Sequence, residues 1–245
     1  MRRTFFTALL AWLCCASALA QHAPDPTISV GYYEFPPYSW TDHDGKPQGS
    51  ILALTERLLR QAGYRGAYRS LPGARLYAGL RDGSVQLWAG AGGKSELIGH
   101  TYEARQSLGE FSLALYHLQS TPPPRPPEGL RGKGVIVISG YSYWKQINDL
   151  LADPAMGIVI HRTSTHAAAL EMLLRGRGDY LLDYQAPVEQ TRKSLGLSRL
   201  PYTVLQRIQL RLIASRHAAG GQQLLDELDR AYAQLEAAGE NLQLD

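Results

Sequence analysis

The stretch "WAGAGGKS", Trp88 to Ser95, sets three glycines ahead of Lys94 and Ser95 and follows an apolar run that reads as a strand. A strand opening into a glycine-rich turn that ends in Lys-Ser is how a backbone cradle for phosphate is built. That cradle also needs a glycine five positions before the Gly-Lys pair, and here the position is Trp88. The following segment, "ELIGHTYEARQSLGEF", carries no sustained helical stripe, so no helix N-terminus is expected to meet a phosphate. The nucleotide reading fails. Gly90, Gly92 and Gly93 then serve either a tight turn or the close approach of a different ligand.

Other residue types narrow the chemistry further. Tyr32, Tyr33, Phe35, Tyr38 and Trp40 crowd into nine residues beside Pro36 and Pro37, which break a strand. Aromatic faces of this kind can line a pocket and attract an ammonium group. The seven histidines are scattered, with no His-x-x-x-His or Cys/His spacing for a metal. "GYSYW" lacks the second glycine of a nucleophile elbow, and the only two thiols, Cys14 and Cys15, lie near the N-terminus. No cofactor or metal is expected.

These residues must be positioned by alternating strands and helices. "ISVGYY" reads as a strand. Ser50 is expected to cap the helix "ILALTERLLRQAG", with Ile51, Leu54, Leu58 and Leu59 on one face. "AYRSL" is a strand, Pro72 opens a helix carrying Leu76 and Leu80 on one side, and "VQLWAG" is the next strand. After "TPPPRPPEG" the alternation restarts with "GVIVISG", "YWKQINDLLA", "GIVIH", "STHAAALEMLLRGRG" and "DYLLDY". "IQLRLIAS" and "GQQLLDELDRAYAQLEAAG" close the chain as strand and helix. The order predicts largely parallel sheets covered by helices. The proline run reads as a semi-rigid spacer between two α/β lobes, with a ligand cleft between them.

The first twenty residues, "MRRTFFTALLAWLCCASALA", have a basic start, an apolar middle and a small-x-small end, which predicts a signal peptide cut after Ala20. Both cysteines belong to it, so the exported chain is expected to fold in an oxidising compartment without disulfides. Lys and Arg number 25 and Asp and Glu 22, and without Arg2 and Arg3 the signs balance to within a single charge. That balance argues against a nucleic-acid partner.

The order of motifs resembles family 3 of the bacterial extracellular solute-binding proteins. "ISVGYYEFPPYSWTDHDGKPQGSILALTERLLRQAGY" is similar to that family's opening strand, aromatic-Pro-aromatic turn, loop and first helix. "LRDGSVQLWAGAGGKSE" resembles its binding loop, and "FSLALY" its crossing strand. "GLRGKGVIVISG" and "LLRGRGDYLLDY" are similar to the opening of its second lobe and to its acid-bearing strand. The resemblance implies an α/β fold of two lobes, the type II periplasmic-binding-protein architecture, closing on a ligand. Lobe 1 would take 27–116 and 207–245 and lobe 2 would take 121–202, with crossings near 111–120 and 201–210.

By the same resemblance, Phe35 stacks on the ligand; Tyr38 is a second aromatic contact to it that could, like Trp40, simply pack. Asp183 receives the ligand's amino group, and Asp179 serves the start of the strand or a surface pair. Ser142, which could equally cap a helix, faces the ligand's carboxylate beside the binding loop at Gly90. Members that bind α-amino acids carry an Arg just after this loop; here Leu97 and Ile98 stand there, and Gln86 replaces a customary Asp. Lys94, Arg75 or His100 could substitute for that Arg. The function implied is a monomeric periplasmic receptor that captures a small polar solute, amino-acid-like or an amine, for an ABC-type transporter permease or a sensor's outer domain. Two other functions stay open on this scaffold. One is an enzyme similar to cyclohexadienyl dehydratase, for which Glu34 rather than Glu171 is the candidate acid. The other is an interaction module that has lost its ligand site.

Overall fold

The computed structural model describes residues 26–141, 143–242 and 244. The expected signal peptide, with Cys14 and Cys15, lies outside the described residues, and so does Ser142. The chain runs β1 (Thr27–Tyr32), β2 (Trp40–Thr41), β3 (Pro47–Gln48), α1 (Ser50–Gln61), β4 (Arg65–Ser70), α2 (Gly73–Asp82) and β5 (Leu87–Ala91). It continues through β6 (Thr101–Glu103), β7 (Gly109–Tyr116), β8 (Gly134–Ile138), α3 (Lys145–Ala152), β9 (Val159–Thr163) and α4 (His166–Leu174). The last elements are β10 (Tyr180–Tyr184), α5 (Gln185–Ser194), β11 (Tyr202–Ser215) and α6 (Gly221–Ala237).

Burial follows the periodicity. Ile51, Leu54, Leu58 and Leu59 turn the apolar face of α1 inward, and Leu76 and Leu80 do so for α2. β5 is buried at every position, as expected of a strand covered on both faces. The start of α1 differs from the expected serine cap. Gly49 holds the cap position, and the carbonyls of Pro37 and Tyr38 accept the first N–H groups, from Ser50 and Ile51. With those donors already satisfied, Ser50 Oγ is buried without a hydrogen-bond partner. Periodicity does not predict α5, because its polar sequence "QAPVEQTRKS" shows no stripe. It buries Val188 and Arg192, and Pro187 is tolerated in its first turn, where N–H groups lack helical acceptors in any case.

β2 and β3 pair only with each other, and the other strands form one path, β4-β1-β5-β11-β7-β10-β8-β9, with β6 added on β11. β4, β1 and β5 are parallel in one half, and β10, β8 and β9 are parallel in the other. β11 joins the first half by pairing antiparallel with β5, Leu210 opposite Ala91 through Ala214 opposite Leu87. β7 joins the second by pairing with β10, Leu113 opposite Tyr184 through Tyr116 opposite Leu181. Between those attachments β7 and β11 pair only with each other, Glu110–Ser112 against Arg207–Gln209, and a register irregularity between Val204 and Gln206 lies just beyond, where β7 also pairs with β10. The two halves are therefore joined by a two-stranded ribbon.

The proline run is not that joint. It follows β7 and packs on the second half, where Tyr180 donates a hydrogen bond to the carbonyl of Pro122 at 3.0 Å. A ladder of backbone hydrogen bonds can carry the chain between lobes, whereas proline has no N–H to contribute. One hydrophobic core fills the first lobe and continues into the second through Val135, Val137, Leu182 and Tyr184. A smaller core on the opposite face of the second sheet joins Ile136, Ile138 and Leu181 to Leu170 and Leu173 of α4 and Val188 of α5.

Candidate functional site

The parallel strands of the two halves point their carboxyl ends at a common cleft, where ligands of open α/β sheets are usually bound. A cavity of about 440 Å³ occupies it. The first lobe contributes Tyr33, Glu34 and Pro36 after β1, and Ser70, Leu71, Pro72 and Gly73 between β4 and α2. The second contributes Ser139, Gly140 and Tyr141 after β8, and Ser164, Thr165 and His166 between β9 and α4.

Two helices begin at this cavity from opposite lobes. α2 starts at Gly73 with no side-chain cap, and α4 starts after Thr165, whose hydroxyl accepts from the N–H of Ala168. Helix N-termini present N–H groups and partial positive charge to an anion. Glu34 supplies the opposite sign at the margin. Its carboxylate accepts from Thr41 N–H at 3.0 Å and from the hydroxyls of Thr41 and Ser70, each at 2.7 Å. Among the described residues, no group of three or more His, Cys, Asp or Glu is placed to hold a metal ion.

The lobes also touch one another directly. Tyr141 donates to the backbone carbonyl of Glu34 at 3.1 Å. Gly73 lies so close to Gly140 that a Cβ on it would stand 2.5 Å from the Gly140 carbonyl oxygen. Lys94, at the end of the glycine loop, places Nζ 4.1 Å from the centre of the Trp144 ring. Burial pulls the Lys94 ammonium down to about 8, while Glu96 pushes weakly the other way.

Behind Tyr33 and Tyr141, whose rings line the cavity, a buried aromatic cluster is shared by both lobes. Phe35, only 3 % exposed, is its centre. Its ring lies 5.1 Å from Tyr184, 5.4 Å from Phe111 and 5.6 Å from Tyr38. Tyr33 meets Trp88 on its own lobe and Tyr141 on the other. Burial raises the phenols of Tyr33, Tyr141 and Tyr184 far above the ordinary tyrosine value, so all three stay neutral.

Asp183 is fully buried one residue before Tyr184. Its Oδ1 accepts from Tyr184 N–H at 2.8 Å, and its Oδ2 lies 2.7 Å from Nδ1 of His166. His166 therefore stands between the carboxylate and the cavity, so a ligand amine would meet the imidazole before the carboxylate. Asp179 serves the strand start and a surface pair together: it accepts from Gly134 N–H at 2.7 Å and lies 3.6 Å from Lys133 Nζ.

The remaining candidates are spread out. Tyr38 stacks on Phe35 and lines a second cavity near the ribbon, with Gly109 and Phe111. Arg75 is exposed on α2 and does not line the cleft cavity. Gly90 lies within β5 under the Trp88 ring, where a Cβ would come within 1.9 Å of an indole atom. Ile98, where an Arg was sought, is 74 % exposed. Phe35, Tyr38 and, through Tyr184, Asp183 meet in one aromatic cluster, but neither they nor Arg75, Gly90 and Lys94 line the cleft cavity.

Residues that sequence reasoning passed over complete the site: Gly73, Tyr141, His166, Tyr184 and Trp144. One signal was available for His166, since Thr165 three residues before Ala168 marks a helix N-terminus directly after a strand. Nothing local marked its pairing with Asp183.

Two α/β lobes joined by a strand ribbon, with a cleft at the carboxyl ends of their strands, define the two-lobe fold of periplasmic binding proteins. Solved structures share it. A histidine kinase sensor domain with similarity to periplasmic binding proteins superposes with a TM-score of 0.73 at 22% identity, covering 88% of this chain and 92% of that one. A putative L-cystine ABC transporter protein from Listeria monocytogenes gives 0.71 at 20% identity, over 87% of this chain and 92% of that one. An ancestral arginine-binding protein bound to arginine gives 0.70 at 18% identity, over 89% and 95%. No protein-family model matches the sequence, and no curated protein matches it.

Proposed function

We propose that this protein is a periplasmic solute receptor that captures a small polar, amino-acid-like or amine ligand between its lobes as a monomer. The observation that carries this reading is the cavity of about 440 Å³ walled by both lobes, with the N-termini of α2 and α4 opposed across it and Glu34 at its margin. A ligand carboxylate would meet backbone N–H groups instead of a guanidinium, and a ligand ammonium would meet Glu34. This division of labour accounts for a receptor without the sought Arg. Tyr33 and Tyr141 present their rings to the ligand, with Phe35 and Tyr38 packed behind them, and Lys94 against Trp144 adds a separate contact between the lobes. Residues 27–116 with 207–245 and residues 121–202 act as the two moving bodies, hinged at the ribbon. Contacts from both lobes make the closed state the better binder, so ligand shifts the population toward it.

The solved neighbours include transporter components and a sensor domain, which supports delivery either to a membrane permease or to a sensor. The periplasmic setting is supported by the same neighbours and by the signal-like N-terminus.

Thermal unfolding against a panel of L-amino acids, polyamines and small carboxylates tests the reading. A ligand at about a thousand times its Kd adds about 4 kcal/mol and raises Tm by roughly 8–16 °C for a chain of this size. Glu34→Gln should weaken ligands that carry an ammonium and spare those that do not. A panel that leaves Tm unmoved throughout overturns the receptor reading.

A further inference from the structure

The contact between the lobes at Tyr141 holds a proton count that an ordinary His–Asp pair cannot meet. Tyr141 Oη lies 3.1 Å from the carbonyl oxygen of Glu34 in the opposite lobe and 3.1 Å from Nε2 of His166 in its own. A carbonyl oxygen only accepts, so Tyr141 spends its single proton there. Its oxygen must then accept from His166 Nε2–H. The other ring nitrogen, Nδ1, faces the Asp183 carboxylate at 2.7 Å, and that contact also needs a proton, on Nδ1 or on the carboxyl. Either way the His166–Asp183 pair holds two protons when every bond is made. With one proton fewer, Nδ1–H faces the carboxylate and Nε2 is bare. Tyr141 then has two acceptors for one proton.

We propose that this pair is a proton-operated latch: closing the lobes takes up one proton at His166–Asp183, and losing it turns the Tyr141 hydroxyl from Glu34 toward His166. His166 is thus a positioning residue, setting which lobe Tyr141 binds. The inference rests on the lobe-closing reading above. Asp183 on β10 and Tyr141 after β8 meet the imidazole directly, Tyr116 on β7 and Tyr143 after β8 feel the Asp183 charge, and Tyr184 together with Tyr33 and Glu34 of the opposite lobe surrounds Tyr141. Burial raises these five phenols far above their ordinary value, so none of them gains or loses a proton near neutrality. The closed state binds the extra proton. The closed-to-open ratio therefore falls as pH rises, by at most tenfold per pH unit.

The test uses nitrogen-15 NMR of the histidines in the full chain, with His166 assigned from His166→Gln. Lobe separation is followed by small-angle scattering from about pH 5 to about pH 8, the interval in which imidazoles commonly change charge. The expected result is a His166 ring with protons on both nitrogens, or an Nε2–H ring beside a protonated Asp183, while the lobes are closed. The lobes then part as that proton is lost. Tyr141→Phe, which keeps the ring, should remove the pH dependence of lobe separation below about pH 7, where the Lys94 ammonium keeps its charge. A bare Nε2 in the closed protein, or the same pH dependence in Tyr141→Phe, overturns the latch and leaves any ligand-induced Tm shift, and with it the receptor, intact. A panel without any Tm shift overturns the receptor and leaves the ring's protonation as measured.

Discussion

Gly73→Ala tests whether the lobes meet as the structure shows. Gly73 is the first residue of α2, and its backbone φ is not among the positive values that favour glycine, so alanine fits the local conformation. The obstacle is the other lobe. A Cβ at this position would lie 2.5 Å from the Gly140 carbonyl oxygen, and real Cβ atoms keep at least 3.0 Å. The partner is backbone, which cannot swing aside as a side-chain tip can. The lobes must therefore part by about half an ångström or more at this point. The Tyr141–Glu34 hydrogen bond, now 3.1 Å, would then pass beyond hydrogen-bonding range. Overpacking of this kind costs roughly 1–3 kcal/mol, here borne by the closed state alone. That lowers the closed-to-open ratio by about 5- to 150-fold, and the apparent affinity for any ligand that needs closure falls toward the same factor. In the open state alanine is at least as good a helix former as glycine. Small-angle scattering should therefore report a wider particle, while the unfolding transition stays where it was or rises. An unchanged lobe separation would refute the contact. A lowered Tm with unchanged separation would show the methyl group being absorbed inside the fold.

Two further outcomes follow from buried groups. The Lys94 ammonium titrates at about 8 in the folded protein against 10.5 ordinarily, so above pH 8 the unfolded chain holds more protons than the native one. Urea unfolding should show stability rising from about pH 8 toward pH 10 by up to ~1.4 kcal/mol per unit, before tyrosines ionise in the unfolded chain. Lys94→Met should abolish the rise, and a flat profile in the parent protein would refute the buried ammonium. Gly90→Ala pushes a methyl group to within 1.9 Å of the Trp88 ring, which is itself packed on Tyr33 and Tyr77. A loss of about 2–3 kcal/mol in denaturant unfolding is expected. A loss below about 0.5 kcal/mol, the scale of ordinary surface changes, would show that the indole moves freely.

Much of the fold was legible because local periodicity states which face of each element is apolar. Leu76 and Leu80, or Leu58 and Leu59, could be assigned inward from spacing alone, and all are fully buried. Aromatic crowding around Pro36 and Pro37 likewise marked Phe35 as the centre of something. Periodicity fell silent where both faces of an element are covered. "YLLDY" of β10 is buried at every position, so the pattern gave no hint that Asp183 faces α4 and its histidine. α5 was missed for a related reason: a short helix with one buried aliphatic residue and one buried arginine shows no apolar stripe. The proline run, conspicuous as composition, had no bearing on how the lobes are joined.

The amino-acid sequence determined the elements, their order and the apolar faces they must bury, because those depend on neighbours a few residues apart. Tertiary structure alone decided the site. Tyr141 reaches Glu34 across 107 residues of chain and His166 meets Asp183 across 17, contacts set by where the β7–β11 ribbon places one lobe against the other. Hydrogen bonds and close packing act over a few ångströms in space, and no local pattern encodes which distant residues the folded chain will bring within that range.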